Sequence, residues 1–330
     1  MKTKTNYTMK AIESKKYGSH DVFQLHEVAQ PSPKPHEILI RNYATTVTGA
    51  DIMMRKGKPW IGRLFLGLRK PKVTILGFEF AGEVVGVGEA VSLFKIGDRV
   101  FGGTTNLGCY AEYTCVSENG VLTTIPENLS YEEAAPVNGS AVTVMNFLKG
   151  LANIGANQKV LINGASGGLG TYAIQIAKHF GAEVTGVCST ANVAMVKALG
   201  ADEVIDYTQE DFTQNGKQYD IIFDTVGKSS FTKCQKSLVK NGIYLSAVLN
   251  FSLFLQMMWT SIWGGKKAKS SATGLLSVKE RLKYFMEIKE LLRTKKIKTV
   301  IDKHYSLAQM AEAHQYVEKG HKKGSIIISI

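Results

Sequence analysis

The feature that most constrains this chain is residues 159–181, where a short apolar run, a glycine-rich loop and an amphipathic segment follow one another. Residues 160–162 (VLI) are typical of a strand that is buried on both faces. The apolar side chains of residues 173–180 recur at helical spacing, and Gly181 stands where a C-terminal helix cap is expected. The pattern predicts a strand, a loop and a helix in direct succession.

The loop between this strand and this helix is built from small residues. Small residues let backbone amides approach a pyrophosphate closely, and the helix N-terminus, with roughly half a positive charge, points at that anion. A glycine pattern alone also occurs in structural turns, but the flanking strand and helix favour a dinucleotide site. We therefore expect replacement of Gly167 by Val to block the phosphate. The predicted cofactor-binding residues of the loop are Gly164, Ala165, Ser166, Gly167, Gly168, Leu169 and Gly170.

The next predicted strand bears on which dinucleotide is bound. An NAD site normally has an acidic residue about 20 residues beyond the glycines, where it bonds the ribose 2′-hydroxyl. Here the nearest acid, Glu183, stands at the beginning of the strand, and Ser189 and Thr190 follow its end. Their hydroxyls can donate to a 2′-phosphate, so the sequence favours NADPH. NADH stays open because residues 189–195 contain no Lys or Arg.

Composition narrows the class of protein. The 330 residues include 40 Lys and Arg against 28 Asp and Glu, a formal net charge of +12. Such a charge suits nucleic acid, an anionic membrane or a phosphorylated cofactor. The lysines are scattered without an aromatic-basic RNA motif, which indicates a basic solvated surface and no nucleic-acid partner. Four cysteines without CxxC spacing favour free thiols and a cytoplasmic location.

Neither the first residues of the chain nor its most apolar run predicts membrane insertion. The first ten residues are polar, lack the apolar core of a secretory signal and are expected to form a short disordered lead. The most apolar run, residues 249–263, falls short of the roughly 20 residues that a spanning helix needs. No transmembrane segment is predicted.

The order of the predicted elements indicates an α/β chain. The first 125 or so residues contain short β-rich runs broken by glycine, as in a small barrel. Ser130 and Glu133 match a capping box that starts a helix. Strands and helices then alternate as far as residue 248, including a helix near 229–239, which implies a doubly wound parallel sheet. A long helix at 277–296 and a final strand complete the chain.

Eight segments occur along the chain in this order: TGADIMMRKG, LGFEFAGEVVGVG, GDRV, YAEY, NGASGGLG, LGADEVIDY, FDTVG and GHKKGSIIISI. In this order they resemble the medium-chain dehydrogenase/reductase superfamily, in its zinc-free quinone oxidoreductase (zeta-crystallin-like) branch. The resemblance implies a GroES-like β-barrel catalytic domain and a Rossmann NADP-binding domain. We expect the catalytic domain at residues 1–129 and again at 273–330, the Rossmann domain at 130–272, and a homodimer.

The resemblance also implies where a catalytic zinc ion would be held. Zinc-dependent relatives have Cys and His at the positions of Thr48 and Phe78, and a third ligand in the region that matches residues 136–140. Threonine and phenylalanine cannot replace thiolate and imidazole as zinc ligands, and 136–140 contains no Cys. We therefore expect no metal and give Glu79 a structural role.

Further site residues follow from the same resemblance. The segment at 48–57 keeps Asp51 but has Met53 where quinone reductases have a tyrosine. Thr48 can hydrogen-bond a substrate oxygen or the nicotinamide ribose, so Thr48 and Asp51 are the predicted catalytic residues. The resemblance assigns the remaining predicted cofactor contacts to Thr143 at the nicotinamide, Tyr207 near the 2′-phosphate, Val226 of FDTVG and Lys323, besides Ser189 and Thr190.

Taken together, the chain is predicted to be a zinc-independent NADPH-dependent oxidoreductase that transfers hydride to quinones or α,β-unsaturated carbonyl compounds. One alternative is a metal-free NADP-dependent alcohol dehydrogenase or carbonyl reductase. Another is a non-catalytic NADPH-binding protein, which the replacement of tyrosine by Met53 keeps open. Residues 249–263 are interpreted as core or dimer packing, with a hydrophobic substrate wall or a peripheral membrane contact as alternatives.

Overall fold

A computed structural model describes residues 7–263 and 265–330, apart from the side chains of Ile61 and Phe65. The strands are β1 (Thr8–Glu13), β2 (Gln24–Ala29), β3 (Glu37–Thr46), β4 (Glu79–Val87), β5 (Arg99–Gly103), β6 (Tyr113–Ser117), β7 (Val121–Thr124), β8 (Lys159–Asn163), β9 (Glu183–Cys188), β10 (Glu203–Asp206), β11 (Tyr219–Asp224), β12 (Leu238–Ser246), β13 (Lys267–Lys269), β14 (Ile301–Ser306) and β15 (Ser325–Ser329). The α-helices are α1 (Gly49–Lys56), α2 (Arg63–Leu66), α3 (Tyr131–Ala134), α4 (Val142–Met145), α5 (Gly168–His179), α6 (Val193–Ala198), α7 (Phe231–Cys234), α8 (Phe251–Ile262), α9 (Val278–Arg293) and α10 (Met310–Lys319). Two π-helical turns flank α4, at Val137–Ala141 and Asn146–Leu151.

The chain divides into two compact units. Unit 1 comprises Met1–Gly139, Val278–Arg293 and Ile301–Ile330, and unit 2 comprises Ser140–Ser277 and Thr294–Val300. The sequence predicted domain boundaries after residues 129 and 272, whereas the units change after residues 139 and 277.

Unit 2 is built on a six-stranded parallel sheet in the order β10-β9-β8-β11-β12-β13. Numbered from β8, this is the order 3-2-1-4-5-6 of dinucleotide-binding folds, which confirms the predicted doubly wound sheet. The strand order reverses between β8 and β11, and the carboxyl ends of these two strands therefore flank the crevice where such folds bind ligands.

The local sequence explains why β8 and α5 lie at the centre of unit 2. Val160, Leu161 and Ile162 are completely buried, as expected for a strand covered on both faces. Nearly every residue of α5 from Gly168 to Ala177 is buried as well. Gly181, directly beyond the helix, has a φ of +78°, so the predicted glycine cap is confirmed.

Unit 1 is organised around β3, which pairs antiparallel with β4, β6 and β15 in a seven-stranded sheet. Its core includes Ile38, Ile40, Phe80, Val84 and Val100. The carboxyl end of β3 runs directly into the N-terminus of α1, and β15 lies beside that end of β3. This arrangement fixes the position of the residues that follow β3.

Several predicted elements differ from the observed ones. The first 125 residues are not all β, because α1 and α2 interrupt the strands. The helix predicted near 229–239 is only α7, which is followed by a 3₁₀ turn at Gln235–Ser237 and then by β12. The predicted disordered lead falls mostly on residues 1–6, outside the described residues, and β1 begins at Thr8.

The apolar run at 249–263 forms α8, whose outward side chains are exposed rather than part of a core. The core interpretation was therefore wrong for that side of the helix. Among the described residues, no helix is both long enough and apolar enough to cross a membrane.

Candidate active site

The glycine loop after β8 is held against the neighbouring strand by its backbone. The amides of Gly164 and Ala165 both donate to the carbonyl oxygen of Val187 in β9, at 3.1 and 2.9 Å. Gly164 has a φ of +80°, a conformation that only glycine adopts without strain. The chain then turns so that Gly167 caps the N-terminus of α5. The amides of the first helical turn, residues 168–170, are those that a helix leaves without an internal partner.

Three glycines of the loop fall into two groups. A Cβ on Gly164 would lie 2.7 Å from both Thr225 Oγ1 and Val226 Cγ1, and one on Gly170 would lie 2.1 Å from the Gly164 carbonyl oxygen. Those two positions exclude side chains because protein atoms fill the space. A Cβ on Gly167 would meet only the Gly164 oxygen, at 3.5 Å, which is an ordinary contact. Gly167 therefore borders an open cradle that the protein's own atoms do not fill.

The loop after β11 is fixed by a buried carboxylate that the sequence analysis missed. Asp224 is fully buried and accepts hydrogen bonds from the amides of Val226, Gly227 and Ser229, at 3.2, 2.9 and 2.9 Å. The sequence does indicate this carboxylate, because in the FDTVG segment an acidic residue ends an apolar run and a glycine follows three residues later. Asp224 thereby positions the predicted contact Val226, which is 45% exposed beside the glycine loop.

Asn192 joins the glycine loop to the end of β9, and the sequence analysis did not select it. Its side-chain amide lies 3.2 Å from Ser166 Oγ and 3.2 Å from Ser189 Oγ, so these two predicted residues are brought together. Asn192 is 5% exposed, and its Oδ1 has no hydrogen-bond partner among the described residues. Two hydroxyls and an amide thus converge beside the cradle at Gly167.

The surroundings of Thr190 differ from the prediction. Its hydroxyl donates to Asp206 Oδ2 at 2.5 Å, so that proton is already engaged rather than free for a 2′-phosphate. Hydrogen bonds from Thr190 and Thr208 lower the pKa of Asp206, which keeps this carboxylate ionised at neutral pH. Asp206 ends β10 and pairs with Cys188, whereas Tyr207 is exposed and donates its amide to the Cys188 carbonyl oxygen. The expectation that Glu183 is the acid nearest to this strand end was therefore wrong, because Asp206 lies beside the end of β9.

The other two predicted cofactor contacts lie in different units. Thr143 is a half-buried residue of α4 in unit 2. Lys323 is exposed in unit 1, just before β15, and its amide donates to Asp302 at 2.9 Å. The residue beside it, Lys322, interacts electrostatically with the buried carboxylates of Glu79 and Asp51, and burial lowers its pKa. Lys322 was missed because adjacent lysines cannot be told apart without the fold.

Thr48 and Asp51, the predicted catalytic pair, form a capping box at the N-terminus of α1. Thr48 Oγ1 donates to Asp51 Oδ2 at 2.5 Å, and the Thr48 amide donates to the same oxygen at 2.9 Å. The Asp51 amide donates in return to Thr48 Oγ1 at 3.3 Å. Met53, on the same helix, is 47% exposed. The T-x-x-D spacing was the sequence signal of this cap.

Two buried carboxyl groups lie behind this helix end. Burial raises the pKa of Asp51 to about 6, and its Oδ1 has no hydrogen-bond partner among the described residues. Burial, with a smaller contribution from the nearby Asp51, raises the pKa of Glu79 to about 7. Glu79 accepts hydrogen bonds from the Thr46 hydroxyl and the Gly139 amide, so it ties the end of β3 to the turn at Gly139. Both carboxyls can therefore hold a proton near neutral pH.

The positions that would hold a catalytic zinc ion do not fit one. The Thr48 hydroxyl is bonded to Asp51, and Phe78 offers a hydrocarbon ring in place of imidazole. Residues 136–140 contribute no thiol. Within the described ranges, no group of three or more His, Cys, Asp or Glu side chains could hold a metal ion.

Comparison with known proteins places these features in a family. The profile of the alcohol dehydrogenase GroES-like domain matches residues 34–127, and a profile described as zinc-binding dehydrogenase matches residues 199–328. A chloroplastic quinone-oxidoreductase homolog of Spinacia oleracea is 33% identical over 334 residues, which cover 97% of this chain and 98% of the relative. The chain belongs to the medium-chain dehydrogenase/reductase superfamily. Within that superfamily it falls in the quinone oxidoreductase-like branch, as the resemblance predicted.

Two further comparisons agree with this family. The 2-methylene-furan-3-one reductase of Solanum lycopersicum is 32% identical over 333 residues, which cover 97% of this chain and 79% of the relative. The crystal structure of Escherichia coli quinone oxidoreductase complexed with NADPH matches with a TM-score of 0.83 and 25% identity, over 97% of this chain and 100% of that one. The predicted combination of GroES-like and Rossmann-like architectures is thereby confirmed.

Proposed function

We propose that this protein is a zinc-independent, NADPH-dependent oxidoreductase that reduces quinones or α,β-unsaturated carbonyl compounds. The observation that carries the proposal is the open cradle at Gly167, between two glycines that protein atoms enclose, at the reversal point of the sheet of unit 2. The names of the spinach and tomato relatives, a quinone-oxidoreductase homolog and an enone reductase, support the substrate class. We further propose that unit 2 is the cofactor domain and unit 1 the catalytic domain.

The residues of unit 2 would hold the cofactor in distinct ways. When bound, NADPH supplies the hydride that reduces an electrophilic carbon. The amides of Gly168, Leu169 and Gly170, at a helix N-terminus, would bind the pyrophosphate. Ser166, Ser189 and Asn192 offer polar groups to the adenosine ribose, while Asp224 holds the loop of Val226 in place.

In unit 1, Thr48 and Asp51 would deliver the proton that accompanies hydride transfer. When Asp51 is ionised, the Thr48 hydroxyl donates to it and cannot donate to a substrate oxygen. When Asp51 is protonated, its O–H donates to Thr48 Oγ1, which frees the Thr48 proton. The proton of Thr48 then passes to the substrate oxyanion, Thr48 takes the proton of Asp51, and Asp51 remains as carboxylate. The pKa of about 6 keeps a fraction of Asp51 protonated at neutral pH.

The test of this function is NADPH oxidation over a panel of quinones, enones, aldehydes and ketones. Turnover of quinones or enones supports the proposal. Turnover restricted to aldehydes or ketones would favour the metal-free alcohol dehydrogenase or carbonyl reductase alternative. Tight NADPH binding without turnover on any substrate would favour the non-catalytic alternative, and absence of NADPH binding would overturn the scheme.

Zinc independence is proposed on the chemistry of the donor set at Thr48 and Phe78. We expect the enzyme to keep its full rate after dialysis against a strong zinc chelator. Metal analysis of the dialysed protein serves as the control. A rate that falls with the metal content and returns on addition of zinc would contradict this part of the proposal.

The preference for NADPH over NADH rests on Ser189 and Asn192 and is opposed by Asp206. The ionised carboxylate of Asp206 repels the negatively charged 2′-phosphate of NADPH more than the neutral 2′-hydroxyl of NADH. We expect Asp206→Asn to raise the affinity for NADPH severalfold and to leave NADH almost unchanged. Fluorescence titration of both cofactors measures this. Equal affinities of the wild-type protein for NADH and NADPH would remove the proposed preference.

We propose the cytoplasm as the compartment and a homodimer as the assembly. The spinach relative is named as chloroplastic, so fractionation of cells that express the full chain is the test of the compartment. Sedimentation equilibrium measures the assembly. Recovery of the protein in an organelle fraction would contradict the cytoplasmic location. A measured mass of one chain at micromolar concentration would contradict the homodimer.

A further inference from the structure

Helix α8 carries apolar side chains on two opposite sides. Leu253 and Thr260 are almost fully buried, and Leu253 and Met257 pack against the core of unit 2. The opposite side carries residues at the spacing i, i+3, i+4, i+7, i+8 and i+11, which places them on one face. This outer face consists of Phe251, Phe254, Leu255, Met258, Trp259 and Ile262, which are 46–76% exposed.

The outer face is not explained by the fold of unit 2. A helix that is apolar all round is normally buried in a large core or in lipid. Contiguous exposed apolar surface marks an interaction site, whereas single exposed apolar residues are ordinary. Trp263, directly after the helix, is 65% exposed and extends the outer face at its C-terminal end. We therefore expect another molecule to cover the outer face.

The charge of the surrounding sequence indicates the nature of that occupant. Residues 225–277, which contain α8, have no Asp or Glu. The side-chain amide of Gln256 donates to Thr232 Oγ1 at 3.0 Å, which places the exposed Lys233 next to the helix. Lys267 donates to the Thr260 carbonyl oxygen in the last turn. The same 53 residues contain seven lysines, at positions 228, 233, 236, 240, 266, 267 and 269.

We propose that the outer face of α8 docks on an anionic lipid bilayer. A surface that combines apolar side chains with uncompensated lysines complements acyl chains below anionic headgroups. A second copy of the chain is less suited, because a symmetric contact would bring two lysine-rich, acid-free segments together. The helix is about 18 Å long at 1.5 Å per residue, so it lies on the bilayer surface and does not cross it.

The aromatic residues fit the same orientation. Trp259 and Trp263 lie at the C-terminal end of the outer face, next to the lysines at 266 and 267. Indole rings favour the headgroup region, where the ring is in an apolar setting and its N–H meets water. Phe251 and Phe254 at the other end carry no polar group and can insert more deeply. This inference concerns lipid contact and does not depend on the substrate proposed above.

The test is co-sedimentation of the NADPH-bound full chain with vesicles. We expect binding to vesicles that contain about 30% phosphatidylglycerol in phosphatidylcholine, and much weaker binding to phosphatidylcholine alone. The double variant Phe251→Ser, Ile262→Ser removes the two most exposed side chains of the outer face, and we expect its partition coefficient to fall at least tenfold. The matched control, Leu93→Ser with Ile96→Ser, removes two side chains of unit 1 that are each 63% exposed, and it should bind like wild type.

A second measurement covers the case in which a variant misfolds. Lipids brominated near the headgroup should quench the tryptophan fluorescence of the wild-type protein, and NADPH affinity reports whether each variant is folded. The proposal is overturned if the wild-type protein stays in the supernatant with anionic vesicles at low salt. It is also overturned if the folded double variant binds like wild type, or if that variant only converts a dimer into a monomer.

Discussion

At the scale of single residues, the structure separates glycines that the sequence presents as equivalent. Gly164 and Gly170 are required by the protein itself, since a Cβ on either would overlap existing atoms. Gly167 has a φ of −80°, and a Cβ there would make only an ordinary contact, so the fold itself does not require a glycine at this position. Comparison of these positions therefore distinguishes a binding loop from a structural turn.

We expect Gly167→Ala to weaken NADPH binding at least tenfold while changing the free energy of unfolding by less than about 1 kcal/mol. Gly170→Ala should instead cost about 3 kcal/mol of stability, because its Cβ would lie 2.1 Å from the Gly164 oxygen. Denaturant unfolding without cofactor and a fluorescence titration measure the two effects. Unchanged NADPH affinity in a folded Gly167→Ala protein would contradict the proposal that this loop binds the pyrophosphate.

The buried Glu79 predicts how stability depends on pH. Burial raises the pKa of its carboxyl from 4.5 to about 7, so the folded protein binds more protons than the unfolded chain between these pH values. Stability from this group is complete below about pH 4.5 and is lost as pH rises through 7. Between pH 5 and pH 8, we expect the free energy of unfolding of Glu79→Gln to fall by about 2–3 kcal/mol less than that of the wild-type protein.

Denaturant unfolding at several pH values measures this difference. Glu89→Gln is the matched control, because it removes an exposed carboxylate in the same unit and should leave the pH dependence as it is. If Glu79→Gln and wild type lose the same stability between pH 5 and pH 8, the carboxyl is ionised throughout and the assignment is wrong.

At the scale of elements, two helices of unit 1 begin with a capping box. Ser130 with Glu133 caps α3, as predicted, and Thr48 with Asp51 caps α1. We expect Thr48→Ala and Ser130→Ala each to lower the free energy of unfolding by about 1 kcal/mol. Only Thr48→Ala should also lower kcat, by about 10- to 100-fold, because only Thr48 is proposed to pass on a proton.

Steady-state kinetics and unfolding of the two variants separate capping from catalysis. Thr48→Ser keeps the hydroxyl and should retain most of the rate. Equal kcat values for Thr48→Ala and Ser130→Ala would show that Thr48 serves the helix alone.

The elements also mark how far sequence could predict the molecule. The alternation of strands and helices in unit 2 was predicted correctly apart from the helix near 229–239, because helical spacing and apolar runs are local signals. Asp206 was missed beside Thr190 because its position depends on the parallel pairing of β10 with β9. Asn192 and Lys322 were missed for the same reason, since their partners are distant in the chain or on other elements. Short α1 was hidden in a β-rich region where propensity is weak.

At the scale of the whole molecule, the division into two units predicts a local response to cofactor. With NADPH at about 100 times its Kd, bound conformations gain about 2.7 kcal/mol relative to states that cannot bind. We expect amide hydrogen exchange at residues 164–170 and 225–229 of unit 2 to slow accordingly. Exchange in β1 and β2 of unit 1 should change little. Hydrogen-exchange mass spectrometry with and without NADPH measures both, and protection confined to unit 1 would contradict the cofactor assignment.

We expect position 53 to tolerate substitutions that change the substrate. Thr48 and Asp51 together cap the start of α1, so we expect a substitution at either one to lower stability and, through the proposed proton transfer, activity as well. Met53 shares that helix but is 47% exposed. Selection for a new substrate in the laboratory should therefore accumulate changes at position 53 and spare positions 48 and 51. Helix α1 thus carries a residue pair that its own start requires and, on the same helix, an exposed position that can be substituted at little cost to stability.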